Sequence, residues 1–398
     1  MQVNHVESNW HTTLYILILI FIAFSLISIA GTHITLGLIA LVWLAQMILS
    51  RQMTIEKTSL EIAFGIFVLA LLVASAFSAQ PRESFINLKN VLLISVVYIV
   101  SSNLLRQREI ITAIDVFVGV ATVMAAIGLL STDILGGKRV MGFKSTTMTW
   151  GAMSAIFTSI TGSLFLFVKN SKKRWLYLGA FVIQFVSMLF SYVRGSWLGF
   201  LASVLILILV KNKKLLLFFI VLMVIVFIAA PDSIQNRVLS ITDMNVGSTK
   251  VRFTQWGNAV KILKDHPIVG VGWIDLGEIH RAYAPEGADL NYQAYRIGHF
   301  HNNFVMIAVC FGLVGLAAVL FMVFKIFQIE LKIHRALHEK NSVLSGWVIG
   351  SVAAYAGFWV NGLFDWTFGD AEPATLIWLT IGLSIAIGKR IAKPSNGN

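Results

Sequence analysis

A histidine pair and a set of isolated arginines are the residues of this chain whose types and spacing suit chemistry. His299 and His301 stand in GHFHNNF, at the end of the one long polar stretch, residues 231 to 301. His301 enters an apolar run beside Asn302 and Asn303, whose side chains suit the cap of a helix. Imidazole, with an ordinary pKa of about 6.5, accepts a proton near neutrality, so His301 suits a general base; capping or packing is its blander role. His299 is expected to point elsewhere once the helix begins. Two histidines could start a metal site, but no carboxylate stands at ligand-like spacing to complete it. The lone Cys310 lies in an apolar run and offers neither a disulfide nor a cysteine metal site. No metal and no cofactor are expected.

The arginines suit anion binding. Arg194, in SYVRGSWLGF, follows a long apolar run and belongs at a membrane boundary, where full burial would cost about 2.5–3.5 kcal/mol. Snorkelling to lipid phosphates is its alternative. Arg252 opens VRFTQWGNAVKILKD and by itself would read as a solvated surface charge.

The elements that must position these groups are membrane helices. Hydrophobic residues make up 57% of the chain and charged residues 13%, and the mean hydropathy is +0.80. That composition describes an all-α polytopic integral membrane protein. The formal charge of +12 sits in short Lys/Arg clusters between apolar runs, a topology signal that argues against nucleic acid. Runs of the length needed to cross the hydrocarbon core fall at about 13–31, 33–50, 60–78, 88–105, 110–131, 149–168, 175–192, 196–211, 213–230, 302–327, 343–364 and 374–391, twelve in all. The first is read as a retained helix, because no Lys or Arg precedes it and it leads straight into another apolar run. Apolar character continues from 175 to 210, about 54 Å of helix and too long for one crossing, so the chain should turn near Arg194. Nine helices thus occupy 1–230, a loop carrying part of the site occupies 231–301, and three helices with a C-terminal tail occupy 302–398. No internal repeat or linker separates a further domain.

Alternate ends of these spans hold unequal charge. One side receives eighteen Lys and Arg, among them Lys57, Arg106, Lys172, Lys211, Lys340 and Lys393. The short loops of the other hold six: Arg82, Lys89, Lys138, Arg139, Lys144 and Arg194. Both termini are therefore expected in the cytoplasm, with the long loop on the far side. The far-side basic residues are the ones topology does not explain. Within the loop, Phe253, Trp256, Val260 and Ile262 recur at helical spacing until Pro267 and the glycines of GVGW, which predicts a short amphipathic helix packed on the membrane surface.

SYVRGSWLGF, VRFTQW followed by HPIVGVGW, HFHNNF followed by FGLVGL, and the closing GLFDWTFGDAE together resemble the bacterial O-antigen ligase and polymerase superfamily of membrane glycosyltransferases, most specifically over residues 194 to 372. Val305 stands where leucine is frequent in that family, and the ending with Asp365, Asp370 and Glu372 leans towards the ligases. The resemblance implies a GT-C-like protein of the bacterial inner membrane. Its implied reaction moves a glycan from an undecaprenyl-diphosphate-linked donor to a hydroxyl of the lipid A core on the periplasmic face, without metal. Arg194 and Arg252 would hold the diphosphate and His301 would be the base. Arg139, in KRVMGFKS, resembles another basic position near the donor; Arg296, His299, Asn302 and Asp365 are further substrate-binding candidates. A polymerase using a lipid-linked repeat unit as acceptor, or a transferase to protein hydroxyls, would use the same groups. A non-enzymatic transporter of lipid-linked glycan fits less well, because the halves do not repeat and the spans are nearly free of acidic residues.

Overall fold

No water inside a membrane satisfies backbone amides, so apolar runs of this length must pair their own N–H and C=O groups, which a helix does. The computed structural model of the chain describes residues 2–134, 136–169, 171–240, 247–337 and 342–392. Lys340 and Lys393, counted above for orientation, and residues 241–246 of the polar stretch lie outside the described residues. The helices are α1 (Gln2–Ile27), α2 (Ile29–Ser50), α3 (Glu61–Ala76), α4 (Pro81–Asn87) running through a 3-10 segment into α5 (Ser95–Asn103), α6 (Gln107–Ser131), α7 (Thr147–Phe167), α8 (Ser171–Leu189), α9 (Arg194–Lys211), α10 (Leu215–Ala229), α11 (Asp232–Leu239), α12 (Gly247–Asp265), α13 (Gly277–Ala282), α14 (Asn303–Ala336), α15 (Val343–Asn361) and α16 (Ala371–Ala392).

All twelve apolar runs are helical over most of their length, but α1 begins at Gln2 and ends at Ile27 where 13–31 was expected, and α14 continues to Ala336, past 327. Among the described residues nine helices are long and apolar enough to cross a membrane, Pro81–Asn103 counting as one. The remaining three runs differ in kind. Helices α3 and α10 have only 16 and 15 residues, and α8 opens on Lys172, Lys173 and Arg174. The turn expected near Arg194 is present: Phe190–Val193 separates α8 from α9, with Tyr192 at φ +55°.

Contacts sort the connections to two ends of the bundle. At one, Lys389 Nζ reaches Glu56 at 3.6 Å and the Ser101 carbonyl at 3.2 Å, and Lys211 lies over the Phe167 ring. At the other, Ser78 Oγ donates to the Val271 carbonyl at 2.7 Å, Asn90 Nδ2 to the Gly369 carbonyl at 3.0 Å, and Lys144 pairs with Glu372 at 2.8 Å. The described parts of the polar stretch therefore share their end with residues 136–146 and 362–370. Helices α7, α15 and α16 form the buried centre, whereas α10 buries no residue. Helix α9 crosses α15 at very short range, since a Cβ on Gly199 would stand 2.5 Å from the Gly357 carbonyl; Ser203 Oγ fills the crossing by donating to the Ala353 carbonyl at 2.8 Å.

Helix α14 is broken where the long loop meets it. Gly312 has φ +65° and ψ −171°, so the helical bonds from the N–H groups of residues 313 and 314 to the carbonyls of 309 and 310 cannot form. The loop segment HPIVGVGW supplies the four missing partners. Leu313 N–H donates to the Pro267 carbonyl (2.8 Å) and Val314 N–H to the Ile268 carbonyl (3.3 Å), while the Val309 and Cys310 carbonyls accept from Val271 N–H (3.0 Å) and Gly272 N–H (2.8 Å). Backbone approaches backbone here, which only glycine allows. A Cβ on Gly312 would lie 2.1 Å from the Ile268 carbonyl oxygen, and one on Gly270, at φ +68°, 2.3 Å from that of Val309.

Helix α12 forms as expected and ends before Pro267, but its buried face differs from the apolar spacing. Phe253 and Val260 are exposed, while Gln255 and Asn258 are buried. The amides are taken inward because they satisfy loop carbonyls: Gln255 Nε2 donates to that of His299 and Asn258 Nδ2 to that of His280.

Gly312→Ala should destabilise the protein by more than the roughly 1–3 kcal/mol of a left-handed non-glycine residue, because it also collides with the loop. The melting temperature in detergent should fall clearly, whereas Gly119→Ala, whose Cβ meets nothing within 4 Å, should leave it unchanged. Equal melting temperatures for the two variants would disprove the interlock.

Candidate active site

The loop end of the bundle holds a cavity of about 600 Å³, lined by basic residues from four separate elements. Arg194 is the first residue of α9, placed there by the turn at Tyr192. Its guanidinium donates to the carbonyl of Ser240, to Ser240 Oγ at 3.3 Å and to Ser248 Oγ at 3.1 Å, so it ties α9 to both flanks of the segment 241–246. Arg237, from α11, donates through Nε to the Tyr192 carbonyl at 3.1 Å. Arg252 comes from α12 and Arg139 from the connection between α6 and α7. That connection is held by Val140 N–H, which donates to the Phe190 carbonyl at 2.9 Å, and by the Lys144–Glu372 pair.

Burial, and after it the neighbouring charges, shows in the titration of these groups. Burial, with repulsion from Arg194, Arg139 and Arg252, pushes the Arg237 guanidinium down to about 10. Burial also lowers Arg252, where the attraction of Asp365 works against it and the charge of Arg194 adds to it. Three buried polar atoms of cavity residues have no hydrogen-bond partner among the described residues: Arg252 Nε, Trp256 Nε1 and Asn361 Oδ1. The guanidinium groups in the cavity's lining suit an oxygen-rich anion.

The acid–base group stands at the rim. His301 Nδ1 lies 3.2 Å from Asp365 Oδ1, which also accepts from Trp366 N–H at 3.0 Å. Asp365 lines the cavity; His301 does not, and it joins the site through this carboxylate. Nearby, burial raises the Asp370 carboxyl to about 6 against the hydrogen bond it accepts from Thr149 Oγ1 at 2.7 Å. The expectation that His299 points away from His301 is overturned, for the two rings meet edge to face with centroids 4.8 Å apart. The reason is local: α14 starts only at Asn303, so both histidines precede the helix and its spacing does not separate them. Burial, then the charge of His301, lowers the His299 imidazole against the pull of Asp365 and Asp275.

Arg139, Arg194, Arg252 and Asp365 are thus brought to one cavity, with His301 and His299 beside it. Asn302 caps α14 as its position suggested: Oδ1 accepts from Phe304 N–H and Val305 N–H, and Nδ2 donates to the Leu363 carbonyl. Its amide is spent on structure. Arg296 is exposed on the loop and lines no part of the cavity. Sequence reading missed Arg237 and Asn361. The signal for Arg237 was present, since it is a far-side arginine that topology leaves unexplained; Asn361, at the end of an apolar helix, gave none.

A second cavity of about 440 Å³ lies between α8, α9 and α10 and is almost wholly apolar, with Phe185, Met188, Trp197, Met223 and Phe227 in its walls. Leu198 lines both cavities, so the apolar space adjoins the arginines.

Residues 179–320 match the family model described as O-antigen ligase, so over this segment the chain is similar to that family. The match contains Arg194, Arg237, Arg252, His299 and His301, and it ends before Asn361 and Asp365. None of the curated proteins matches the chain.

If the cavity is an anion site, Arg252→Ala or Arg237→Ala should weaken binding of inorganic pyrophosphate to the detergent-purified protein. A hydrogen bond to a charged group is worth about 1.5–3 kcal/mol, so each loss should be roughly 10- to 150-fold. Arg296→Ala should bind as wild type does. Unchanged affinity in Arg252→Ala would remove the anion assignment.

Proposed function

From the match of residues 179–320 to the O-antigen ligase family model, we propose that this chain is an O-antigen ligase. It transfers a glycan from undecaprenyl diphosphate to a hydroxyl of the lipid A core on the periplasmic face of the bacterial inner membrane. Both termini are cytoplasmic, and the fold is GT-C-like. The observation that carries this reading is the convergence of Arg139, Arg194, Arg237 and Arg252 on one cavity whose rim bears the His301–Asp365 pair.

Four guanidinium groups against one carboxylate leave the cavity strongly positive, which complements a diphosphate of two to three negative charges. Planar donors in a water-poor site stabilise the charge that grows on the leaving oxygen as the anomeric C–O bond breaks. The adjoining apolar cavity accommodates part of a prenyl chain. On the other side of the anomeric carbon, His301 Nε2 takes the proton of the acceptor hydroxyl as its oxygen forms the new bond. Asp365 beside Nδ1 fixes the tautomer that leaves Nε2 free and stabilises the imidazolium that results. Diphosphate leaves with the bonding electron pair, giving a single displacement with inversion.

A deletion strain complemented with wild type should restore glycan-substituted lipopolysaccharide on an electrophoretic profile. His301→Ala should leave unsubstituted core and stranded lipid-linked polymer, and Asp365→Asn should lose most of the substitution. A ladder collapsed to core bearing one repeat unit would indicate a polymerase instead, and loss of glycoprotein with normal lipopolysaccharide a transferase to protein. Wild-type substitution by His301→Ala would refute the base.

A further inference from the structure

The fold supplies a ligand that sequence spacing lacked. One donor atom from each of His299, His301 and Asp365 lies within 4.8 Å of the others, all three residues being part-buried. They come from two strongly constrained places. His299 and His301, whose rings touch, stand in the bend before α14, where Gln255 holds the His299 carbonyl and the Asn302 cap fixes the end. Asp365 comes from the turn after α15, sixty-four residues beyond His301, and is held by Trp366 N–H.

We propose that His299, His301 and Asp365 form a binding site for a divalent transition-metal ion of the zinc class, occupied in competition with the proton on His301. Two imidazoles and one carboxylate are the donor set of open zinc sites, which keep a fourth position for water or another oxygen ligand, and imidazole nitrogen disfavours magnesium and calcium. A tetrahedral ion with bonds of about 2.0–2.1 Å keeps its donors about 3.3 Å apart. His301 Nδ1 and Asp365 Oδ1 already stand at 3.2 Å. Rotation of the His299 ring about its side-chain torsions closes the remaining gap. The arginines across the cavity repel a cation and hold the affinity below that of a resident structural zinc. The site therefore acts as a reversible block, since metal on His301 removes the proton acceptor. The binding site stands on geometry alone; only its inhibitory consequence rests on the base assignment above.

The test is titration of the full-length protein, purified without a histidine tag, with Co²⁺ followed by visible absorption, and with Zn²⁺ as competitor. Wild type should bind one equivalent with the intense bands of a tetrahedral site, and Zn²⁺ should displace it. His299→Ala and Asp365→Ala should each weaken binding at least tenfold, while His33→Ala, an exposed histidine elsewhere, should not. His299→Cys should keep the site and add thiolate-to-cobalt charge-transfer absorption, a result that misfolding cannot produce. Absence of saturable binding, or unchanged binding in His299→Ala, would overturn the proposal. Saturable binding with undiminished glycan transfer would leave the metal site standing and remove His301 as base.

Discussion

The exchange of four backbone hydrogen bonds between HPIVGVGW and the break at Gly312 is the constraint on which the rest of the structure depends. The long loop sends Val271, Trp273, Ile274, Leu276 and Phe300 into the hydrophobic core, but apolar burial alone does not set its register. Here it is fixed because an interrupted helix in apolar surroundings leaves two donors and two acceptors that must be satisfied, each worth several kcal/mol if abandoned. Pro267, Ile268, Val271 and Gly272 satisfy all four. The loop therefore enters the bundle at a fixed register, and both segments that leave it are positioned as a result. One is α12 with Arg252; the other runs through His299 and His301 into α14.

The cavity is the electrostatic counterpart of that interlock. Guanidinium groups gathered from α9, α11, α12 and the α6–α7 connection are partly withdrawn from water and set near one another, and burial foremost, then like charge, lowers the titration of Arg237 and Arg252. The cost of such burial persists where a bound anion offsets it, and pre-set positive charge is what a departing diphosphate requires. Asp365 moderates the repulsion and also touches His301, so one carboxylate couples anion binding to the acid–base group in the proposed reaction.

How much of this could be read from the sequence follows from the range of the forces involved. The helices could, because membrane span length and apolar run length are the same quantity; each of the twelve apolar runs is helical, and among the described residues nine helices are long and apolar enough to cross a membrane. Arg194, Arg252 and His301 could be singled out because a charge at the end of an apolar run needs a reason. The face of α12 could not, since Gln255 and Asn258 are buried to satisfy carbonyls that only the folded loop brings near. The meeting of His299 with His301 was hidden by one residue of uncertainty in where α14 starts. Asp365 reached the site over a sequence distance at which spacing carries no information.

The central claim is that these residues catalyse covalent glycan transfer. Its most direct measurement uses purified protein in liposomes, with undecaprenyl-diphosphate-linked glycan and lipid A core on the same face. Covalently substituted core should appear in step with free undecaprenyl diphosphate, with the anomeric configuration of the transferred sugar inverted. Movement of intact donor across the bilayer without substituted core, or a product with retained configuration, would contradict the account.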